Sequence, residues 1–254
     1  MRDPIHLIIG DSHAKPGVSN KRAKWLGKLI VDVKPTTVIH IGDSADMESL
    51  CTYDRGTKAF EGRTYQADID AHLDFQDRLW RQVKKAKKTL PRRIFCVGNH
   101  EQRIVKAINV QPELDGVIGL GDLKLNDFYD DIVFYNGASP GTILVDHISY
   151  AHFHISGIMG KAIGGEHPAA SLIAKQHVSS VAGHSHLLDF SIRTDGTGRK
   201  LLGLVVGCYM DHFDAYAGNA NKMRWPGICI LRNVDNGVYN PQFVSLSTIR
   251  KEYA

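Results

Sequence analysis

Three short apolar runs in the first part of this chain each end on a glycine followed by a polar side chain that could hold a cation. Residues 5–9 close on Gly10-Asp11, residues 38–41 on Gly42-Asp43, and residues 94–97 on Gly98-Asn99. Apolar runs this short, stopped by glycine, read as buried strands. Helical periodicity fills the gaps between them. Trp25, Leu26, Leu29, Ile30 and Val33 share one face of a helix over residues 20–33, which Ser19 can cap. Leu73, Leu79, Trp80 and Val83 do the same over residues 68–88. A β-α-β-α-β order calls for parallel strands joined by crossover helices. Ligands of such sheets collect beyond the carboxyl ends of the strands, where all three Gly-polar junctions fall.

The rest of the chain is richer in strands. A helix begins near Glu101 and stops before Pro112, and residues 45–62 read as a loop with room for a short helix. Residues 132–135, 142–145 and 148–151 are candidate strands split by Asn136-Gly137 and Asp146-His147. Pro168 can open a helix running to about His177, and residues 180–182 lead into Gly183-His184. Residues 190–193 and 201–206 flank a turn at Asp195-Gly196-Thr197-Gly198, and residues 228–231 form a further strand. With no internal repeat or linker, one α/β domain spanning residues 1–254 is the simplest account, with two mixed sheets packed face to face.

Composition narrows the setting. At 254 residues and 43% hydrophobic, the chain can bury a full core. No apolar run reaches the length of about 18 residues that a membrane span needs, so a membrane partner is not expected. The first apolar stretch is too short for a secretory leader and points to a cytoplasmic protein. Cys51, Cys96, Cys208 and Cys229 lack paired spacing and read as reduced, largely buried thiols. The net charge of +4 does not announce a nucleic-acid binder. It is unevenly spread, though, with Arg78, Arg81, Lys84, Lys85, Lys87, Lys88, Arg92 and Arg93 close together. That stretch is either a solvated helix face or a basic rim that attracts a polyanion.

Five polar motifs follow one another in order: Asp11-Ser12-His13, Gly42-Asp43-Ser44-Ala45-Asp46, Gly98-Asn99-His100-Glu101, Ala151-His152, and Gly183-His184-Ser185-His186. Carboxylate, imidazole and amide donors suit hard-to-borderline divalent metals better than a structural zinc, which would favour cysteine. Each donor also has a simpler reading. Asp11 and Asp43 could cap helices, Asn99 could be a turn residue, and His184 and His186 could be surface histidines at a strand end. His152 competes with His147 and His154 for the role of a lone ligand.

This ordered set resembles the calcineurin-like metallophosphoesterases, over residues 11–186. The resemblance implies a four-layer sandwich, two mixed sheets flanked by helices, and a dinuclear centre that hydrolyses phosphate esters. It implies that Asp11, His13 and His186 bind one metal, that Asn99, His152 and His184 bind the other, and that Asp43 bridges both. A shared carboxylate can hold two cations at roughly 3.5–4 Å, as two-metal hydrolysis requires. Mn2+ is the first expectation, with Fe, Zn or Ni fitting the same donors. Asn99 and His100 would contact the substrate phosphate, and His100 would protonate the leaving oxygen, oriented by Asp46. His154 is a further candidate substrate contact.

The sequence departs from the protein Ser/Thr phosphatases of this superfamily, which follow G-D-x-x-D with Arg-Gly. Here Asp46 is followed by Met47-Glu48, and the Arg55-Gly56 pair comes later. The terminal G-H-x-H is closer to the phosphodiesterase and nuclease branches. The expectation is therefore a phosphodiester substrate of nucleotide or nucleic-acid type. A phosphomonoesterase acting on a small molecule or nucleic-acid end is the alternative. A non-catalytic scaffold is the reading from another class, against which the full donor set counts.

Overall fold

The structure is a computed structural model that describes residues 4–86, 89–213 and 215–254. In chain order, β1 (His6–Ile9), α1 (Lys21–Val33), β2 (Thr37–His40), α2 (Tyr65–Ala86), β3 (Arg92–Cys96) and α3 (Gln102–Val110) make up the first part. The short α4 (Leu125–Phe128) leads to β4 (Asp131–Val133), β5 (Ile143–Val145), β6 (Ile148–Tyr150), and a small hairpin of β7 (Ile155–Ser156) and β8 (Lys161–Ala162). Then come α5 (Pro168–Gln176), β9 (Ser179–Ala182), β10 (Leu188–Thr194), β11 (Lys200–Val206), β12 (Gly227–Asp235), β13 (Val238–Ser245) and α6 (Leu246–Tyr253).

Two mixed sheets result. The first has the order β13-β12-β1-β2-β3-β4, and the second β10-β11-β9-β6-β5. β1 to β4 run parallel, as the crossover helices demand, while β12 joins β1 antiparallel. Side-chain alternation along the strands separates the layers. Leu7, Ile9, Val38 and Phe95 pack with Leu26, Leu79 and Trp80 of α1 and α2. Their neighbours Ile8, Ile39, Ile94 and Cys96 face the other way, onto Ile148, Tyr150, Val181 and Leu204 of the second sheet. α5 covers that sheet's far side through Leu172 against Ala182 and Val205. Helices, sheet, sheet and helix therefore form the four expected layers. The strands in the middle are apolar on both faces, which is why they read as unbroken hydrophobic runs.

Element ends differ where side chains are used elsewhere. α2 starts at Tyr65 rather than at Asp68, whose carboxylate instead accepts bonds from Ser49 N at 2.9 Å and Ser49 Oγ at 2.6 Å. Lys87 and Lys88, at the expected end of that helix, lie outside the described residues. α1 stops where Lys34 turns left-handed at φ 55°, just before Pro35. β13, α6 and the β7–β8 hairpin were not foreseen. β13 contains Pro241, which a strand tolerates here because β13 lies at the sheet edge.

The basic stretch proves to be a solvated face. Arg78 pairs with Asp74, Arg81 with Asp77, Arg92 with Asp131 and Arg93 with Asp130. Arg92 and Arg93 also begin β3, at the opposite end from Asn99. For the described part of the stretch, the ion-paired arginines and the far strand end favour a solvated face over a rim that attracts a polyanion. All four cysteines are buried and unpaired. Among the described residues no helix is long and apolar enough to cross a membrane.

Candidate active site

The carboxyl ends of β1, β2, β3, β6 and β9 meet at one edge, and each of the five motifs leaves from one of them. Tight backbone turns aim the side chains. His13, Asp43, His184 and His186 all have positive φ, between 39° and 67°. Non-glycine residues adopt that conformation at a cost, and it persists where surrounding structure enforces it, often at functional sites. The glycines before the donors are steric requirements. A Cβ on Gly98 would sit 2.1 Å from Asp43 Oδ1, and one on Gly183 would sit 2.5 Å from Asp11 Oδ1. The motifs can approach one another only because these positions carry no side chain.

Asp43 is the centre of the group. Its Oδ2 lies 3.3 Å from His152 Nε2, 3.8 Å from His100 Nε2 and 3.9 Å from His13 Nε2. Its Oδ1 accepts a bond from His100 N at 2.9 Å. On one side, Asp11 Oδ2 is 3.1 Å from His186 Nε2, which is 3.2 Å from His13 Nε2. On the other, His152 Nε2 is 2.9 Å from Asn99 Oδ1 and 3.2 Å from His184 Nδ1. Asp11, His13 and His186 thus form one compact donor group, and Asp43, His152 and His184 another. A third grouping, His13 with Asp43 and His100, overlaps both.

These atoms are arranged as a cation site would need them. His152 Nδ1 donates to Ile41 O at 2.9 Å, so Nε2 is the nitrogen that faces the carboxylate, the amide oxygen and His184. His13 Nδ1 is engaged by Asp46 Oδ1 at 3.1 Å, which turns its Nε2 towards Asp43 and His186. Two carboxylates, an amide oxygen and the imidazoles of His13, His152, His184 and His186 converge here, groups of the kind a divalent cation takes. The electrostatics agree. Burial disfavours charge on His152, yet the Asp43 carboxylate raises its pKa to about 9. Burial likewise opposes ionisation of Asp43, but the positive field of His152 and His100 holds its carboxyl well below the usual range. Burial and the neighbouring His100 lower the pKa of His13.

His100 is buried at the same edge. Its Nδ1 is 2.7 Å from Asp46 O and 3.0 Å from Asp46 Oδ1, and its Nε2 faces the cluster. Asp46 therefore serves two rings, His13 and His100, rather than His100 alone. His154 is not brought in. It is buried with Nε2 3.3 Å from Val181 O, and it joins neither the donor groups nor the cleft beside them. Its Nε2 is turned towards the second sheet, and its buried Nδ1 has no hydrogen-bond partner.

Two residues without an assigned role hold the site together. Glu101 is fully buried, and its carboxylate accepts from Asp43 N, Ser44 N, Ala45 N and Gly98 N at 2.7–3.0 Å. It ties the β2 and β3 motifs into one unit. Arg22, on α1, is also fully buried and donates to Ser12 O at 2.7 Å and Tyr209 O at 3.0 Å, fixing the first motif from behind. Glu101 was visible as part of its motif; Arg22 gave no signal, because a lone arginine on a helix reads as surface.

A family model of the calcineurin-like phosphoesterases matches residues 6–193. The chain belongs to the calcineurin-like phosphoesterase family. Family members use dinuclear divalent metals, and this chain is a metal-dependent phosphoric ester hydrolase. No curated protein sequence matches it. Among solved structures, Yfce, a phosphoesterase from E. coli, aligns over 95% of this chain and 99% of its own at 11% identity, with a TM-score of 0.41. A dimetal phosphatase from Danio rerio aligns over 97% of this chain and 100% of its own at 10% identity, with a TM-score of 0.39.

Proposed function

We propose that this phosphoesterase hydrolyses phosphodiesters of nucleotide type, with Asp11, His13 and His186 holding one divalent ion, Asn99, His152 and His184 the other, and Asp43 shared by both. Two ions bound here would offset phosphoryl charge and activate water as the nucleophile. Mn2+ is the first choice and Fe, Zn or Ni fit the same nitrogen and oxygen donors. The protein's own work is orientation and proton supply. Asn99 and His100 contact the phosphoryl oxygens, and His100, with Nδ1 fixed on Asp46, gives a proton from Nε2 to the leaving oxygen.

The observation that carries the diester reading is space. A cleft of about 570 Å³ opens directly off the donor cluster, with Asn99 and His184 in its wall. A diester bears a group on each side of phosphorus, and this cleft gives the second group somewhere to lie. A phosphomonoester has no second group to place there, only the group that leaves. The test compares p-nitrophenyl phosphate with bis-p-nitrophenyl phosphate on Mn2+-reconstituted protein. The diester should turn over with the higher kcat/KM; a clear preference for the monoester would sink the proposal.

A further inference from the structure

The cleft has a chemical character that goes beyond a place for a second substituent. Its wall is drawn from the loop after β2, from α3, and from the turns after β3, β6 and β9. Arg55, Arg103 and Lys106 line it, and among the described residues no carboxylate does. Aromatic rings line it too. Tyr53 is 91% exposed, so its ring is open to a ligand. Phe153 is tilted over His184, with ring centroids 4.9 Å apart, so it abuts the donor cluster itself. Arg103 joins the cleft to the catalytic edge, since its guanidinium donates to Asp46 O at 2.8 Å and lies 3.2 Å from His100 Nε2.

Cations with no carboxylate in the same wall, set among exposed aromatic faces, match one kind of group better than others. A polyol phosphate would satisfy the cations and leave Tyr53 and Phe153 facing water. A purely apolar substituent would use the rings and strand the cations. A nucleoside with its flanking phosphate uses both, because every base offers a flat face for stacking and every phosphate a full charge. Resting on the diester reading above, we infer that this cleft seats a nucleoside of the substrate. The base lies against Phe153 and Tyr53, and the next phosphate lies on Arg55, Arg103 and Lys106. Arg55 thereby supplies a cation near the metal edge from a part of the chain well beyond the G-D-x-x-D motif.

The test uses two esters with the same leaving group: thymidine 5′-(p-nitrophenyl phosphate) and methyl p-nitrophenyl phosphate. On Mn2+-loaded protein the nucleotidyl ester should have the higher kcat/KM. Tyr53→Ala and Phe153→Ala should each shrink that ratio about 5–100-fold, mainly through KM, the span expected for one stacked base. Phe153→Leu guards against a folding defect, since it keeps apolar bulk and should still lose the preference. A second arm needs no turnover: calorimetric titration of metal-free protein with AMP and with ribose 5-phosphate. AMP should bind about tenfold tighter or better, and Phe153→Ala should abolish the difference. If neither ester is turned over but AMP retains its advantage, the diester reading fails and the nucleoside cleft stands. Equal affinity for the two ligands, no measurable AMP binding, or equal losses on both esters would overturn the nucleoside assignment.

Discussion

Glu101→Gln isolates the contribution of a single buried carboxylate to the geometry of the site. Oε1 accepts from Ser44 N at 2.7 Å and Ala45 N at 3.0 Å; Oε2 accepts from Asp43 N at 3.0 Å and Gly98 N at 2.9 Å. Glutamine has almost the same shape but only one acceptor oxygen. Whichever way its amide is turned, an NH2 faces two backbone N–H groups. Two bonds to a charged acceptor are lost, at about 1.5–3 kcal/mol each, and two buried donors are left unpaired. Part of this is recovered, because burial and the nearby Asp43 charge raise the pKa of Glu101 and make its ionised form costly. The net loss should be about 2–4 kcal/mol, a large share of a typical domain's stability.

Function should fall further than stability does. The loop that Glu101 holds carries Asp43, so metal affinity should drop together with turnover. Urea denaturation of the metal-free protein reads the first effect. Metal content after Mn2+ reconstitution and gel filtration, with diester hydrolysis, reads the second. A variant within about 0.5 kcal/mol of the parent would refute the claim that these four N–H bonds organise the edge, as would normal metal content and turnover.

Further outcomes follow from the same geometry. Gly98→Ala places a methyl 2.1 Å from Asp43 Oδ1, so metal content and turnover should fall while the fold, followed by circular dichroism, remains. His100→Asn should keep metal content near normal and cut turnover roughly 10²–10⁴-fold, less for esters with good leaving groups, which need no proton. Neutralising Lys84 and Lys85 should leave oligonucleotide hydrolysis and its salt dependence unchanged, because they sit at the far end of α2 from the cluster. Acid should destabilise the fold through His72, fully buried with Nδ1 unpartnered and its pKa lowered to about 4 by burial. Its stabilisation is complete above the unfolded value near 6.5 and is lost as pH falls towards 4, amounting to about 2 kcal/mol at pH 5. His72→Gln should flatten the slope of unfolding free energy against pH between 5 and 6.5 in urea titrations.

The parallel half of the fold was legible because its strands are buried on both faces and stop at glycines that cannot be anything else. Gly98 and Gly183 are required by contacts of 2.1 and 2.5 Å to the very carboxylates their motifs approach. Sequence pattern and steric need therefore coincide, and the order of the motifs along the chain matches the strand ends that bring them together. The edge elements lacked such a signal. β13 includes a proline that is harmless only at an edge, and the β7–β8 hairpin pairs only Ile155 with Ala162 and Ser156 with Lys161.

The basic stretch and the cleft show why charge was harder to read than the convergence of the five motifs. A candidate ligand set is local: each residue sits on its own strand end, and the strand says where it points. A cation's role depends on its partners, which come from elsewhere in the chain. Asp130 and Asp131 offset Arg93 and Arg92 from a distant segment, so a conspicuous run of arginines carries little free charge. Arg55 is the reverse case. It lies in an irregular polar loop, in an Arg-Gly pair too far from Asp46 to be judged by spacing, yet that loop folds back so that Arg55 lines the same cleft as Asn99, Arg103 and His184. Loop length set its sequence position; the surface it reaches is set by how the loop is tied down. Arg63, farther along, donates to Glu48 O at 3.2 Å and pairs with Asp54, next to Arg55, at 2.6 Å. The same arginine thus holds the start of the loop and the residue beside Arg55, and that long-range bracing is what turns an unremarkable loop into a wall of the site.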